Sequence, residues 1–549
     1  MNARCLLYLF LGALTALRLV MIGQLELSPD EAYYFQWSQH LDWSYFSKGP
    51  GVAVAMWLST HVFGASEFGV RVLSPLLSVG TSLLMFSFAR RLYGESVGIW
   101  TVLTINLVPI FNVGSLVLTI DPLSIFFWLA ALYTCWLALE RSPAFSGWWP
   151  ATGALIGCGF LAKYTNAMEL LSILLLLALT PKYRRELARP GFYAMLGVFA
   201  IFTAPPIIWN AQHDWITLHH LGARGGLDTP ARFDPGQFFE FLGAHFGVYS
   251  PLIFLGLLVA IGWGWRSAAV HFKPRFLLAF TLPLFALYFT LAFKQAGEAN
   301  WTAPAMLSMT VLTVALWHAR CGADLQSAGA GSGKDGEAGG SQTEGLRHVR
   351  ARRFAAAAFG VALVMSFVIV DSELPRRIGI PFSYALDPSA RLRGWRTAAE
   401  QVEAIRRDFE AASGAPVFLI ANKYGTAASL AFYLTEKRVE GSGHPPVYVP
   451  ESPVPENQFF FWPRYDENVQ LAPGAKPKDE YYTEEGGENP FLGRTALYIT
   501  DRAEEKPPSS IKRGFERVEM IRCVDFTRRG QPLRQLRIFA CYNYRQVSL

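Results

Sequence analysis

Apolar runs of membrane-spanning length, separated by short polar loops, constrain this chain more than any other feature. A helix needs roughly 20 apolar residues to cross the hydrocarbon core of a bilayer. Such runs fall near residues 5–24, 69–88, 96–114, 119–139, 149–163, 165–181, 191–209, 243–265, 276–293, 300–318 and 354–371. About eleven spans therefore fit by length. The pair 149–163 and 165–181 is short in each half, because Lys163-Tyr164-Thr165-Asn166 interrupts it. A lysine at mid-bilayer is costly, so two short helices meeting at a surface turn suit these residues better than one long helix. Composition agrees: 52% of the 549 residues are hydrophobic and 17% charged, against about 25% charged in soluble domains. No small-residue cleavage site follows the first apolar run, which reads as a retained helix.

The loops orient the spans. Arg90 and Arg91, then Lys182, Arg184, Arg185 and Arg189, then Arg266, Lys273 and Arg275, then Arg347, Arg350, Arg352 and Arg353 occupy alternate loops. Basic loops stay in the cytoplasm. This places a multi-pass protein in a bacterial inner membrane, with its N-terminus cytoplasmic and its C-terminal part periplasmic. The net charge of +6 is accounted for by these loops, so no nucleic-acid partner is implied.

The domain reading follows. Residues 1–320 form an all-α membrane domain, 321–353 a flexible basic cytoplasmic linker, 354–372 the last span, and 373–549 a small α/β outer domain. The linker is rich in Gly, Ala, Ser and mixed charge, which cannot build a core. In the outer domain, helical spacing of Ala399, Val402, Ile405 and Phe409 predicts a helix over 395–411. Strands are expected at 416–420, 446–449 and 495–500, and a helix at 426–435. A hairpin is expected over 516–525 and 534–543. Cys523 and Cys541 lie on its two arms, and an oxidising compartment permits a disulfide between them. Two unpaired thiols are the alternative.

Ionisable residues near a bilayer are functional candidates, and the outer loops collect them. They are Asp30, Glu31 and Lys48 in the first loop, Arg71 at a helix end, Asp121, Lys163, then His213, Asp214, His219, His220 and Arg224, and finally Lys294 and Glu298. Several have plain structural readings. Ser28-Pro29-Asp30-Glu31 suits a helix start, with Ser28 as cap, Pro29 at the first helical position and Glu31 closing a capping box. Arg71 and Lys163 suit interface anchors. His213 and Asp214 suit a helix end, and Asp121 a helix N-terminus.

The run Pro29-Asp-Glu-Ala-Tyr-Tyr34, then Phe46-Ser-Lys-Gly-Pro-Gly51, then Phe68-Gly-Val-Arg71, resembles the polyprenyl-phosphate-sugar glycosyltransferases of the GT-C fold. Within that fold the chain is similar to the protein O-mannosyltransferase-like group, to bacterial transferases acting on lipopolysaccharide core, and to the lipid A aminoarabinose transferases. The resemblance continues through Ile120-Asp-Pro-Leu123, Phe160-Leu-Ala-Lys-Tyr-Thr165, Trp209-Asn-Ala-Gln-His-Asp-Trp215 and Gly297-Glu-Ala-Asn-Trp301. The chain departs from the aminoarabinose transferases in reading Lys48-Gly-Pro-Gly51 where they tend to show Lys-Pro-Pro-Leu.

The resemblance implies a sugar transfer from a polyprenyl-phosphate donor to lipopolysaccharide, another glycolipid or a protein. It implies Asp30 as the catalytic acid, with Glu31 able to share that role, and Lys48, Arg71 and Lys163 as candidates for the donor phosphate. Asp121, His213, Asp214 and Glu298 are candidates for acceptor or metal. No cofactor is certain, and a divalent metal ion stays open. The rival from another class is a transporter or flippase of a lipid-linked sugar, which would share the spans and the charged cavity.

Overall fold

The computed structural model describes residues 2–226, 233–321, 338–370, 373–380, 383–384, 387–466, 489–502 and 506–545. The described chain forms two compact units. One comprises Met1–Ile22, Lys48–Ala55 and Arg71–Ile378; the other comprises Gly23–Ser47, Met56–Val70 and Gly379–Leu549.

The first unit is helical. Among the described residues, eight helices are long and apolar enough to cross a membrane: Ala3–Met21, Glu67–Tyr93, Ile120–Glu140, Pro190–Gln212, Pro251–Ala268, Phe272–Leu291, Ala299–Cys321 and Val349–Val368. The remaining three expected spans are present as shorter helices. Residues 96–114 divide at Val108, whose extended backbone precedes Pro109 and a new short helix. Proline disfavours helical backbone in the residue before it, which accounts for the break. Helix Trp148–Ala162 stops with Lys163 as its extended C-cap, a short turn follows, and Met168–Leu179 resumes. The sequence expectation of two short helices around Lys163 is met. The last helix runs from Ala338 to Val370, so the end of the expected linker is helical. Residues 322–337 of that linker lie outside the described residues.

Buried polar side chains tie distant segments of this unit together, because a hydrogen bond in an environment without water is costly to forgo. Arg18 is buried and donates to Ser78 Oγ at 3.0 Å and to Asn112 Oδ1 at 2.8 Å. Asn112 donates to Ser366 Oγ at 3.0 Å, and Ser366 donates to the Leu107 carbonyl at 2.7 Å. One guanidinium thus fastens the first helix to segments far along the chain, the last span included.

The second unit carries the small sheet domain. Its four strands are β1 (Phe418–Ala421), β2 (Ala496–Thr500), β3 (Phe515–Arg528) and β4 (Gln531–Tyr544), ordered β1-β2-β4-β3. The β1–β2 pair is parallel and the others antiparallel. Helices Trp395–Ser413 and Tyr424–Tyr433 match the expected ones closely. The hairpin forms around Arg529 and Gly530, both at positive φ, the geometry a tight two-residue turn requires.

Two expectations for this domain are corrected. Residues 446–449 make one bridging pair, Tyr448 with Ile420, and no strand. Pro446 opens the segment and Pro445 and Pro450 flank it, and proline has no amide hydrogen to give a ladder. The disulfide is absent: Cys523 and Cys541 are both free, the first exposed and the second buried. In the register of the hairpin Cys523 faces Arg537, while Cys541 faces Val518. Four residues of offset separate partners that a bridge requires to be adjacent.

Within the domain, Glu451 is buried and accepts a hydrogen bond from Tyr544 Oη at 2.6 Å. Burial, then the charge of Asp466, push its carboxyl up to about 7. A raised carboxyl favours the fold while protonated. Its contribution is full below the ordinary glutamate value and fades as pH rises through about 7.

Two outcomes are expected. A maleimide should label Cys523 in the folded, unreduced protein, and Cys541 on unfolding without reductant; thiols that stay blocked until reduction would restore the bridge. Glu451→Gln should flatten the loss of thermal stability between pH 4.5 and 7 and raise the melting temperature at pH 8 by about 2–4 °C, the effect of ~1 kcal/mol in a domain of this size. An unchanged pH profile in the variant would show that Glu451 does not titrate in that window.

Candidate active site

The first unit holds, from five separate segments, the charged groups Asp121, Lys163, Lys48 and Arg224 and the amide of Asn300. Asp121 sits in the first turn of helix Ile120–Glu140, which Thr119 caps through the Asp121 amide. Lys163 is 8% exposed, and its Nζ donates to Asp121 Oδ1 at 2.7 Å. The other oxygen, Oδ2, accepts from Asn300 Nδ2 at 2.7 Å. The aspartate thus satisfies a lysine that would otherwise be unpaired in an apolar surrounding, and the asparagine fixes its rotamer.

Lys48 approaches from the first loop. The following segment lies on the end of helix Trp148–Ala162: a Cβ at Gly49 would stand 2.4 Å from the Leu161 carbonyl oxygen, and one at Gly51 would stand 2.8 Å from the Ala162 amide nitrogen. Neither position has room for a side chain. This is the physical content of Lys-Gly-Pro-Gly, and it brings the backbone carrying Lys48 against the helix end that presents Lys163. Arg224 completes the cationic group, its guanidinium 5.6 Å from the Trp301 ring centroid, one residue from Asn300. His220, on the same short helix Ile216–Arg224, lies close enough to Lys48 and Arg224 to feel both. Burial first, then those two cations, hold its imidazole down to about 4, so it is neutral at pH 7.

The second unit holds the two acids of the first loop. Helix Pro29–Gln39 begins with a full capping box: Ser28 N–H donates to Glu31 Oε2 at 2.9 Å and Glu31 N–H donates to Ser28 Oγ at 3.2 Å. Glu31 is fully buried in this cap. Asp30 is exposed at the same helix N-terminus, where the helix dipole favours its charge. Tyr424 Oη donates to Asp30 Oδ1 at 3.5 Å. The helix is seated on the sheet domain's side chains. Tyr33 Oη accepts from Gln458 N–H at 2.6 Å, its ring lies 4.4 Å from that of Tyr424, and Leu27 N–H donates to Tyr433 Oη at 2.6 Å.

Other candidates are occupied structurally. Arg71 is 1% exposed and donates to the Ile22 carbonyl at 3.0 Å, at the end of the first helix. His213 stacks on Trp209 with centroids 3.9 Å apart, and its Nδ1 lies 2.7 Å from the Trp209 carbonyl, closing helix Pro190–Gln212. Asp214 is exposed at positive φ in the turn that follows. Glu298 is exposed before the turn Ala299–Thr302. Among the described residues, no three or more His, Cys, Asp or Glu side chains gather into a metal-ligand group.

Sequence reasoning names Arg224 only among the ionisable residues of the outer loops, and takes Asn300 with Glu298 as polar residues at a membrane face suited to acceptor binding, not as a partner of Asp121. The signal for both was their place in motifs or loops rich in aromatic residues. Tyr424 gave no signal, because it lies 394 residues from its partner Asp30.

The Asp121–Lys163 pair yields a test. Asp121→Asn or Lys163→Gln leaves one charge without its partner and should cost ~3–5 kcal/mol. The double variant should recover much of that. Melting curves in detergent read the coupling; singles and double that simply add would show the pair to be unimportant.

Comparison with known proteins bears on this site. Residues 47–209 match the model of the family described as dolichyl-phosphate-mannose-protein mannosyltransferase. A lipid A galacturonosyltransferase of Rhizobium johnstonii is 28% identical over 332 residues, 58% of this chain and 66% of that protein. An undecaprenyl phosphate-alpha-4-amino-4-deoxy-L-arabinose arabinosyl transferase of Edwardsiella ictaluri is 27% identical over 298 residues, 48% of this chain and 51% of that protein. The chain thus spans just under two thirds and about half of these curated relatives. The crystal structure of ArnT from Cupriavidus metallidurans in the apo state superposes with a TM-score of 0.56 at 15% identity, covering 100% of this chain and 99% of that one. The form bound to undecaprenyl phosphate gives 0.55 over 97% of each chain. The chain is a multi-pass membrane protein with the ArnT-like GT-C fold and a small C-terminal sheet domain, and its residues 47–209 carry the sequence pattern of the dolichyl-phosphate-mannose-protein mannosyltransferase family.

Proposed function

We propose that this chain is an inner-membrane glycosyltransferase that moves a sugar from a polyprenyl-phosphate donor to a cell-envelope glycolipid on the periplasmic face. The observations that carry the reading are the Asp121–Lys163 pair and the placing of Lys48 and Arg224 around His220, all from loops that alternate with the basic ones. Donor recognition needs concentrated positive charge, because the leaving group is a phosphate monoester of a lipid. Lys48 and Arg224 supply it, and Lys163 adds to it while held by Asp121. The named relatives include transferases whose donors are undecaprenyl-phosphate sugars, which supports the donor class.

In the proposed reaction the Asp30 carboxylate takes the proton of an acceptor hydroxyl as its oxygen bonds to the anomeric carbon. The bond from that carbon to the phosphate oxygen breaks, and its electron pair leaves with the polyprenyl phosphate. General-base help of this kind contributes roughly 10²–10⁴-fold. Cations fixed at the departing phosphate stabilise charge that grows in the transition state. Asp30 suits the base role because it is exposed and lightly held, with Tyr424 Oη aimed at one oxygen. Glu31 is less suited, since its carboxylate closes the helix cap. The alternating basic loops support a cytoplasmic N-terminus and a periplasmic sheet domain.

The test is transfer of radiolabel from polyprenyl-phosphate sugars into membrane lipids. Wild type should release label from the carrier, and Asp30→Asn should lower transfer by at least ~10² while melting as wild type does. Full turnover in the variant would remove Asp30 from catalysis. Carrier crossing the bilayer with its sugar still attached would make the protein a flippase.

A further inference from the structure

The helix Ala303–Cys321 and the last span, Val349–Val368, meet at their basic ends around Trp317. Its ring centroid lies 6.1 Å from that of Phe354 and 6.4 Å from that of Phe359. The seam is hollow on both sides. One cavity, about 500 Å³, is walled by Trp100, Val314, Ala355 and Ala356, with His318 and Arg352 in its lining. The other, about 740 Å³, is walled by Leu255, Val259, Leu316 and Phe354, with Arg320 and Arg350. Among the described residues, no Asp or Glu lines either cavity. Arg320, Arg350 and Arg352 are all exposed, and Arg352 Nη2 donates to the Cys321 carbonyl at 3.2 Å.

We propose that this seam is a binding site for an anionic phospholipid. Its acyl chains would lie in the two apolar hollows, and its phosphodiester would meet the guanidiniums of Arg320, Arg350 and Arg352. The argument is charge complementarity joined to shape. Arginine binds phosphate through paired N–H donors, and basic pockets between membrane helices suit lipid headgroups. A free phosphate would leave the aromatic and aliphatic walls wet, whereas an acyl chain covers them. Ordinary topology-setting arginines need no such hollow beside them. The site is distinct from the Lys48 cluster, lying at the ends of the spans that carry the basic loops.

Native mass spectrometry of the full-length protein in neutral detergent tests this. Phosphatidylglycerol and phosphatidylcholine of matched chains are added in turn. Wild type should retain phosphatidylglycerol several-fold more than phosphatidylcholine. Arg320→Gln/Arg350→Gln/Arg352→Gln should lose that preference, while Arg184→Gln/Arg185→Gln, on another basic loop, should keep it. Ala355→Trp, which fills one hollow without changing charge, should reduce retention of both lipids. Equal retention of the two lipids by wild type, or equal loss of preference in both arginine variants, would overturn the site.

Discussion

A lysine that cannot be left unpaired organises the membrane-embedded unit. Lys163 ends helix Trp148–Ala162 and is nearly buried. An ammonium there is tolerable only with a carboxylate beside it. Asp121 meets it from the start of another helix, and Asn300 holds Asp121 from a third segment. The pair therefore sets the mutual position of three stretches of chain that are about 40 and 180 residues apart, before any ligand is considered. The same helix end receives the Gly49 and Gly51 backbone, so Lys48 is delivered by steric contact to a place fixed by electrostatics.

A different physical logic holds the first-loop acids. There the seating is aromatic: Tyr33 against Tyr424 and Phe459, Trp37 against Tyr45, Phe35 against Phe432. Large rigid rings give contact area at little entropic cost. The Tyr33 and Phe35 pairs clamp helix Pro29–Gln39 to the sheet domain and the Trp37 pair ties it to its own loop, while its N-terminal Asp30 stays exposed. The C-terminal residues that look like an appended domain thus belong to one compact unit with the loop bearing the proposed base. A carboxylate acting as a base must be held in orientation yet accessible, and a rigid support behind its helix meets both needs.

Local chemistry made much of this legible. The capping box at Ser28 and Glu31, the interruption at Lys163, the helix after Trp395 and the hairpin at Arg529-Gly530 all formed as their residues suggest. Each depends on neighbours within a few positions. The disulfide failed for the complementary reason. Both cysteines lie on the correct arms, but a bridge needs registry, and the tight turn at Arg529-Gly530 sets Cys523 opposite Arg537 and Cys541 opposite Val518. The register shifts between Met520 and Arg522 and between Phe526 and Thr527 move partners by only one residue, so it is the position of the turn that keeps the cysteines apart. The assumed strand at 446–449 overlooked how three prolines limit a ladder to one bridge.

By itself the sequence determined the rough position of most of the apolar helices and the alternation of basic loops, though neither the apolar helix Gly51–Phe63 nor the break at Ser250 inside the run 243–265. It also determined which loops carry ionisable groups, because hydrophobic transfer and helix capping are local properties of residues. Only the tertiary structure decided which of those groups meet. Asp121 with Lys163 and Asn300, Arg224 beside Trp301, and Tyr424 at Asp30 join residues from 42 to 394 positions apart. Such contacts follow from packing of whole helices and from the expense of isolated polar groups in an apolar medium, neither of which any short window of sequence contains.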